Sequence, residues 1–321
     1  MSPGGPARVT RRHRRRDRET PAPSAGPALS GLCRRACTAL LLLLALLLSP
    51  GGPAGAGEAL VMAHWPSRGP TRAVVLALHG FGDAGDLTFD GAAGYWAGRG
   101  ITTYAPDQRG FGANASRKQW PGVEALVADA IAEAAALRRM HPGVPLVVVG
   151  HSMGGGVALL AAASGMEADA LVLAGPAIAG GDALNPLRRA GAWTIAATLP
   201  EKRWTGGRFL RIRVSDNEEA LARAREDPRH FGDPSSRELY GLVQLMDRAA
   251  AAAPRVTVPT MTLMGSHDEV LRPDAVRRIA DRIPGSRRFV EYPDGWHWLF
   301  RDRQAPKVWS DVADFVLSVG Q

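Results

Sequence analysis

Short apolar runs recur along the chain at Ala59 to Trp65, Arg72 to Leu78, Ile101 to Ala105, Leu146 to Val149, Ala170 to Ala174, Thr260 to Met264 and Arg288 to Tyr292. Runs of this length next to Gly, Pro and Asp suit strands. Leu146 to Val149 is apolar throughout, as expected of a strand buried on both faces of a parallel sheet. Stretches with helical spacing lie between the runs: Phe89 to Arg99, Val123 to Met140 with Leu126, Ile131 and Leu137 on one side, Met153 to Ala163, Pro273 to Arg282 and Pro306 to Val319. Such alternation predicts an α/β fold, a mainly parallel sheet with helices on both faces.

Between Ile178 and Arg255 the pattern breaks. No run there reads as a buried strand, and helical pieces appear at Asn185 to Leu199, Glu218 to Arg225 and Ser235 to Ala253. The segment about 178–255 therefore reads as a helical cap inserted over one edge of the sheet.

Composition changes the picture mainly at the start of the chain. Residues 1–56 hold nine Arg against Asp17 and Glu19, a net of +7, so the formal +8 of all 321 residues leaves +1 for the rest. The basic balance is a property of this leader and gives no support to nucleic-acid binding by the folded part. Ala39 to Leu48 follows as ten residues of Leu and Ala, half the number needed to span a bilayer. A charged region, a short apolar stretch and small residues at Ala54 and Ala56 read as an export signal cleaved near Ala56, with a membrane anchor at residues 39–48 as the alternative. The Arg34-Arg35 pair only weakly fits a twin-arginine signal. Cys33 and Cys37 both fall in the leader, so residues 57–321 form a single cysteine-free domain.

The chemistry gathers where predicted strands end. Leu146 to Val149 runs into Gly150-His151-Ser152-Met153-Gly154-Gly155-Gly156, and the glycines two residues either side of Ser152 allow strand and helix to pass closely. Ser152 then sits at the apex of a tight bend, facing the positive end of the new helix. His79-Gly80-Phe81-Gly82 ends another strand, and its glycines either let a backbone N–H around Phe81 approach as a second oxyanion donor or mark a plain strand-to-loop exit. Asp268 and His297 follow the last two predicted strands, giving the chain order Ser152, Asp268, His297. A serine hydroxyl needs a base to take its proton, and an imidazole needs a carboxylate to fix its tautomer. Asp107, in a turn, is expected to hold backbone rather than to react. His267 is a rival base, but its adjacency to Asp268 argues against it.

These pieces resemble the α/β-hydrolase superfamily, and within it the monoacylglycerol lipase and lysophospholipase group, classed with the serine aminopeptidase-like (S33) hydrolases. The resemblance rests on His79 to Gly82, Asp107 to Gly112, Gly150 to Gly155, Gly265 to Asp268 and Asp294 to His297, across most of residues 59–319. It implies Ser152 as nucleophile, Asp268 as acid, His297 as base, the Phe81 and Met153 N–H groups as oxyanion donors, and a lid where the cap falls. Asp83-Ala84 stand where that group often carries Glu-His. The expected substrate is a monoacylglycerol- or lysophospholipid-like ester. Trp193, Ile195, Leu199, Trp204, Phe209 and Leu210 either line a groove for the acyl chain or pack the cap onto the core. Arg188, Arg189, Lys202, Arg203, Arg208, Arg211 and Arg213 form a solvated basic face or meet an anionic lipid surface. A peptidase, amidase or perhydrolase of the same superfamily, and a noncatalytic binding module on the same scaffold, are the alternatives. No cofactor is implied, and no paired histidine spacing reads as a metal site.

Overall fold

A computed structural model of the chain describes residues 58–179, 186–205 and 212–319. The leader with Cys33, Cys37, Arg34-Arg35 and residues 39–48, together with Arg208, Phe209, Leu210 and Arg211, lies outside the described residues. The side chains of Arg188 and Arg189 do too.

Seven strands form one sheet: β1 (Met62–Trp65), β2 (Ala73–Leu78), β3 (Ile101–Pro106), β4 (Leu146–His151), β5 (Ala170–Ala174), β6 (Thr260–Gly265) and β7 (Ser286–Tyr292). Their order is β1-β3-β2-β4-β5-β6-β7; β1 runs antiparallel to β3, and all other pairs are parallel. The continuous apolar runs follow from this arrangement. In β4, Leu146 and Val148 pack in one core with Leu126, Leu137, Val157 and Leu159, while Val147 and Val149 pack in the other with Phe89, Trp96, Val308 and Val312. A strand covered by helices on both sides has no polar face to show.

The helices supplying these layers are α1 (Gly85–Ala97), α2 (Val123–Met140), α3 (Met153–Ala163), α7 (Pro273–Ala280) and α8 (Ala305–Ser318). Between β5 and β6 come α4 (Pro186–Thr198), α5 (Glu218–Glu226) and α6 (Ser236–Ala252). A reciprocal cap starts α6: Ser235 Oγ accepts the Glu238 N–H at 3.2 Å, and Glu238 Oε2 accepts the Ser235 N–H at 2.6 Å. Its Leu245, Ala249 and Ala252 are buried in the same core as α3.

Several boundaries differ by one to a few residues from the sequence expectation, β7 starting at Ser286 and α7 stopping at Ala280 among them, and two of the differences have a tertiary reason. The first strand begins at Met62 rather than Ala59, because Val61, whose carbonyl still accepts the Asp107 N–H at 2.8 Å, turns its own N–H to Asn114 Oδ1 (3.0 Å). Helix α1 begins at Gly85 rather than Phe89, because Asp107 Oδ1 accepts the Gly85 N–H at 2.8 Å. The other oxygen of Asp107 accepts the Ala113 N–H at 2.7 Å, so this carboxylate does organise backbone, as expected of it.

Candidate active site

The bend between β4 and α3 is built by close packing. Ser152 has φ 51° and ψ −116°, a left-handed φ that L side chains rarely adopt. It is held there by its N–H donating to the Ala174 carbonyl (2.9 Å) and by its carbonyl accepting the Ala177 N–H (2.8 Å). A Cβ on Gly154 would overlap the Leu78 carbonyl oxygen, and one on Gly150 would overlap the Gly154 carbonyl. The glycine spacing read from the sequence is thus what lets α3 start so near β2 and β4.

Three groups from three strand ends converge at this bend. Ser152 Oγ lies 3.0 Å from His297 Nε2, and His297 Nδ1 lies 2.8 Å from Asp268 Oδ2. The other oxygen of Asp268 accepts the N–H groups of Val270 and Leu271, both at 2.8 Å. Burial opposes ionisation of Asp268, but the facing His297 and these N–H donors outweigh it and hold its pKa below the ordinary value. An ionised carboxylate only accepts, so the shared proton sits on Nδ1 and Nε2 keeps its lone pair toward the serine hydroxyl. The N–H groups of Phe81 and Met153 donate to no other group among the described residues. For Met153, the first residue of α3, no intrahelical acceptor exists. His267 is exposed, and its ring stacks on Trp296 with centroids 5.3 Å apart.

Several supporting groups have no signature in the sequence. His151 donates its Nε2–H to the His297 carbonyl at 2.9 Å; burial first, and then the facing His297, push its pKa down to about 3. It is therefore a neutral imidazole fixing the main chain of His297. Asp83, at the departure from the Glu-His pattern, is buried and ion-paired to Arg301, whose guanidinium stacks on Trp298 at 3.9 Å. Burial would raise the Asp83 pKa, yet Arg301 holds it well below the usual carboxylate range. Ala84, in place of the histidine, donates its N–H to Asp83 at 3.0 Å.

Asp302 supports the loop carrying His297 by accepting the Trp296 N–H at 2.9 Å. Burial, with the Asp216 charge adding to it, pushes its pKa up to about 7. A carboxyl whose pKa is raised on folding contributes stability that is full below the unfolded value near 4 and is lost as pH rises toward 7. Asp302→Asn keeps an acceptor and removes the ionisation. It is expected to gain about 2–4 kcal/mol over the parent in chemical denaturation at pH 8, with the gap closing as pH falls toward 4. A gap independent of pH would contradict this role.

Four of the apolar cap residues, Trp193, Ile195, Leu199 and Trp204, are exposed rather than packed on the core. Lys202 lies 4.4 Å above the Trp204 ring, so apolar and basic groups share one surface. Among the described residues no group of three or more His, Cys, Asp or Glu is placed to hold a metal ion.

A seven-stranded, mainly parallel sheet bearing this serine bend after its central strand defines an α/β-hydrolase. Solved structures share the fold: a monoacylglycerol lipase from Paleococcus ferrophilus superimposes with a TM-score of 0.70 at 22% identity, covering 82% of this chain and 100% of its own. A Bacillus coagulans carboxyl esterase in complex with glycerol gives a TM-score of 0.71 at 19% identity, covering 84% and 97%. The chain belongs to the serine aminopeptidase, S33, family, whose profile matches residues 69–304. Relatives include a monoacylglycerol lipase of Mycolicibacterium smegmatis, 28% identical over 272 residues (82% of this chain, 94% of that protein). A monoglyceride lipase of Mus musculus is 27% identical over 267 residues, covering 80% and 84%.

Proposed function

We propose that this carboxylic-ester hydrolase cleaves monoacylglycerol- or lysophospholipid-like esters through an acyl-enzyme on Ser152. The observation that carries the mechanism is the chain of two short hydrogen bonds, Ser152 to His297 to Asp268, at the bend. Ser152 Oγ attacks the ester carbonyl carbon while His297 Nε2 takes its proton. Negative charge develops on the carbonyl oxygen, where the Phe81 and Met153 N–H groups stabilise it. Collapse of this intermediate breaks the bond to the alcohol, which leaves with the proton from His297. Water then repeats the sequence and releases the acid. Asp268 stays ionised throughout, steadying the imidazolium.

Three features support a lipid-like ester. The Mycolicibacterium smegmatis and Mus musculus relatives are named as monoacylglycerol and monoglyceride lipases. Among the described residues between β5 and β6, the exposed Trp193, Ile195, Leu199 and Trp204 supply apolar surface for an acyl chain or a lipid interface. Lys202 beside Trp204 adds a cation suited to an anionic lipid surface. A second reading, hydrolysis of a peptide bond, is favoured by the aminopeptidase description of the family.

Side-by-side turnover of a monoacylglycerol, a short aryl ester and a proline anilide separates these readings. The expected kcat/KM for the monoacylglycerol exceeds that for the anilide by at least about 100-fold. The reverse order would establish the peptidase, and turnover of none of the three would favour a binding scaffold.

A further inference from the structure

His79 is fully buried, next to the proposed oxyanion site but outside the hydrogen-bonded triad. The Gln108 backbone N–H, which can only donate, points at its Nε2 from 2.8 Å. That bond settles the tautomer: Nε2 accepts, so the ring proton is on Nδ1. The acceptor facing Nδ1 is the carbonyl of Gly80, at 2.7 Å.

The Gly80 carbonyl belongs to the same planar peptide unit as the Phe81 N–H, and in a trans peptide the two point in opposite directions. Fixing the carbonyl therefore fixes the N–H. Gly80 itself lies against the bend, since a Cβ there would come within 3.3 Å of Ser152 Cβ. Neighbouring groups are also tied. The His79 carbonyl accepts from Gln108 Nε2 at 2.6 Å and from the Gly154 N–H at 3.1 Å, and the Gly82 carbonyl accepts the Phe231 N–H at 2.9 Å.

We propose that His79 is a positioning residue for the oxyanion hole: its Nδ1–H holds the Gly80 carbonyl so that the Phe81 N–H is aimed at the reacting carbonyl oxygen on Ser152. Gln108 acts one step behind, by holding His79 in the tautomer that can donate. Burial, the largest influence on this imidazole, lowers its pKa and keeps it neutral, which preserves the lone pair that Gln108 requires. The inference rests on the Ser152 mechanism proposed above.

The test uses the full-length protein and the variants His79→Ala, His79→Gln and His79→Asn, each checked for a parental thermal transition. Asparagine places an N–H donor near the position of Nδ1; glutamine places one near Nε2 and alanine supplies none. The expected result is a kcat about 10- to 100-fold lower for the alanine and glutamine variants, with KM within about twofold. The asparagine variant is expected to stay within about threefold of the parent.

A trifluoromethyl ketone, which adds Ser152 to form a bound oxyanion, should weaken in the same proportion as kcat. A residue that merely fills space would not link these two quantities. Unchanged kcat in the alanine variant, an asparagine variant as impaired as alanine, or unchanged ketone affinity would overturn the proposal. Should the variants fail to fold, nitrogen NMR of the histidine-labelled parent decides: a proton on Nδ1 of His79 supports it, and one on Nε2 overturns it. Fluorophosphonate labelling of the parent separates the two layers. Absence of an adduct on Ser152 sinks the mechanism itself, whereas an adduct with no His79 effect sinks only this inference.

Discussion

Ser152→Ala is expected to lower ester turnover by about 10⁴- to 10⁶-fold while leaving the fold intact. The hydroxyl is the only part of the side chain that reaches His297, and the backbone at residue 152 is held by bonds to Ala174 and Ala177 that alanine keeps. The left-handed φ is no easier for serine than for alanine, so the substitution adds no backbone penalty. What remains is the proposed pair of oxyanion donors and substrate binding, which alone leave a small residual rate. Turnover by the purified variant, followed with the preferred ester beside a denaturation curve, checks both halves. Parental activity would show that another residue attacks the substrate.

Gly154→Ala is expected to have the second large effect, on stability and activity together. The new Cβ would overlap the Leu78 carbonyl oxygen and crowd the His79 carbonyl, both of them backbone atoms at the end of β2. Neither can move like a flexible side chain, so α3 or β2 must shift, at a cost of about 3–5 kcal/mol. The shift would also carry Met153 and Ser152 with it, and a displacement of about 1 Å at a reacting group costs about 100-fold in rate. Urea denaturation and kcat measured on the same preparation test this. Parental values for both would mean that the close passage of helix and strand is not the reason for glycine here.

What the sequence made legible was whatever leaves a local trace. The buried strands are readable because covering both faces forces unbroken apolar runs, and α2 runs over the expected Val123–Met140 because its apolar spacing is internal to the helix. Ser152, Asp268 and His297 were readable for a different reason. Each sits just past a strand, and parallel strands bring their carboxyl ends to one edge of the sheet whatever lies between them.

The supporting groups left no such trace. Asp83 and Arg301 are 218 positions apart and pair only because α1 and the loop after β7 pack together. The Gln108 N–H reaches His79 across 29 positions, and Asp302 supports the His297 loop through one backbone N–H. A buried carboxylate and a surface one look alike in sequence, since burial is decided by the whole fold. The late start of the expected first strand has the same origin, because Asn114 takes the Val61 N–H that a longer strand would have used.

The central claim is that the hydroxyl at the bend is the group that bonds to substrate. Treating the full-length protein with a fluorophosphonate and mapping the adduct by peptide mass spectrometry tests it most directly. The account predicts a single adduct, on Ser152, formed in step with loss of ester turnover. An adduct on a different residue, or complete turnover by protein that carries none, would contradict it.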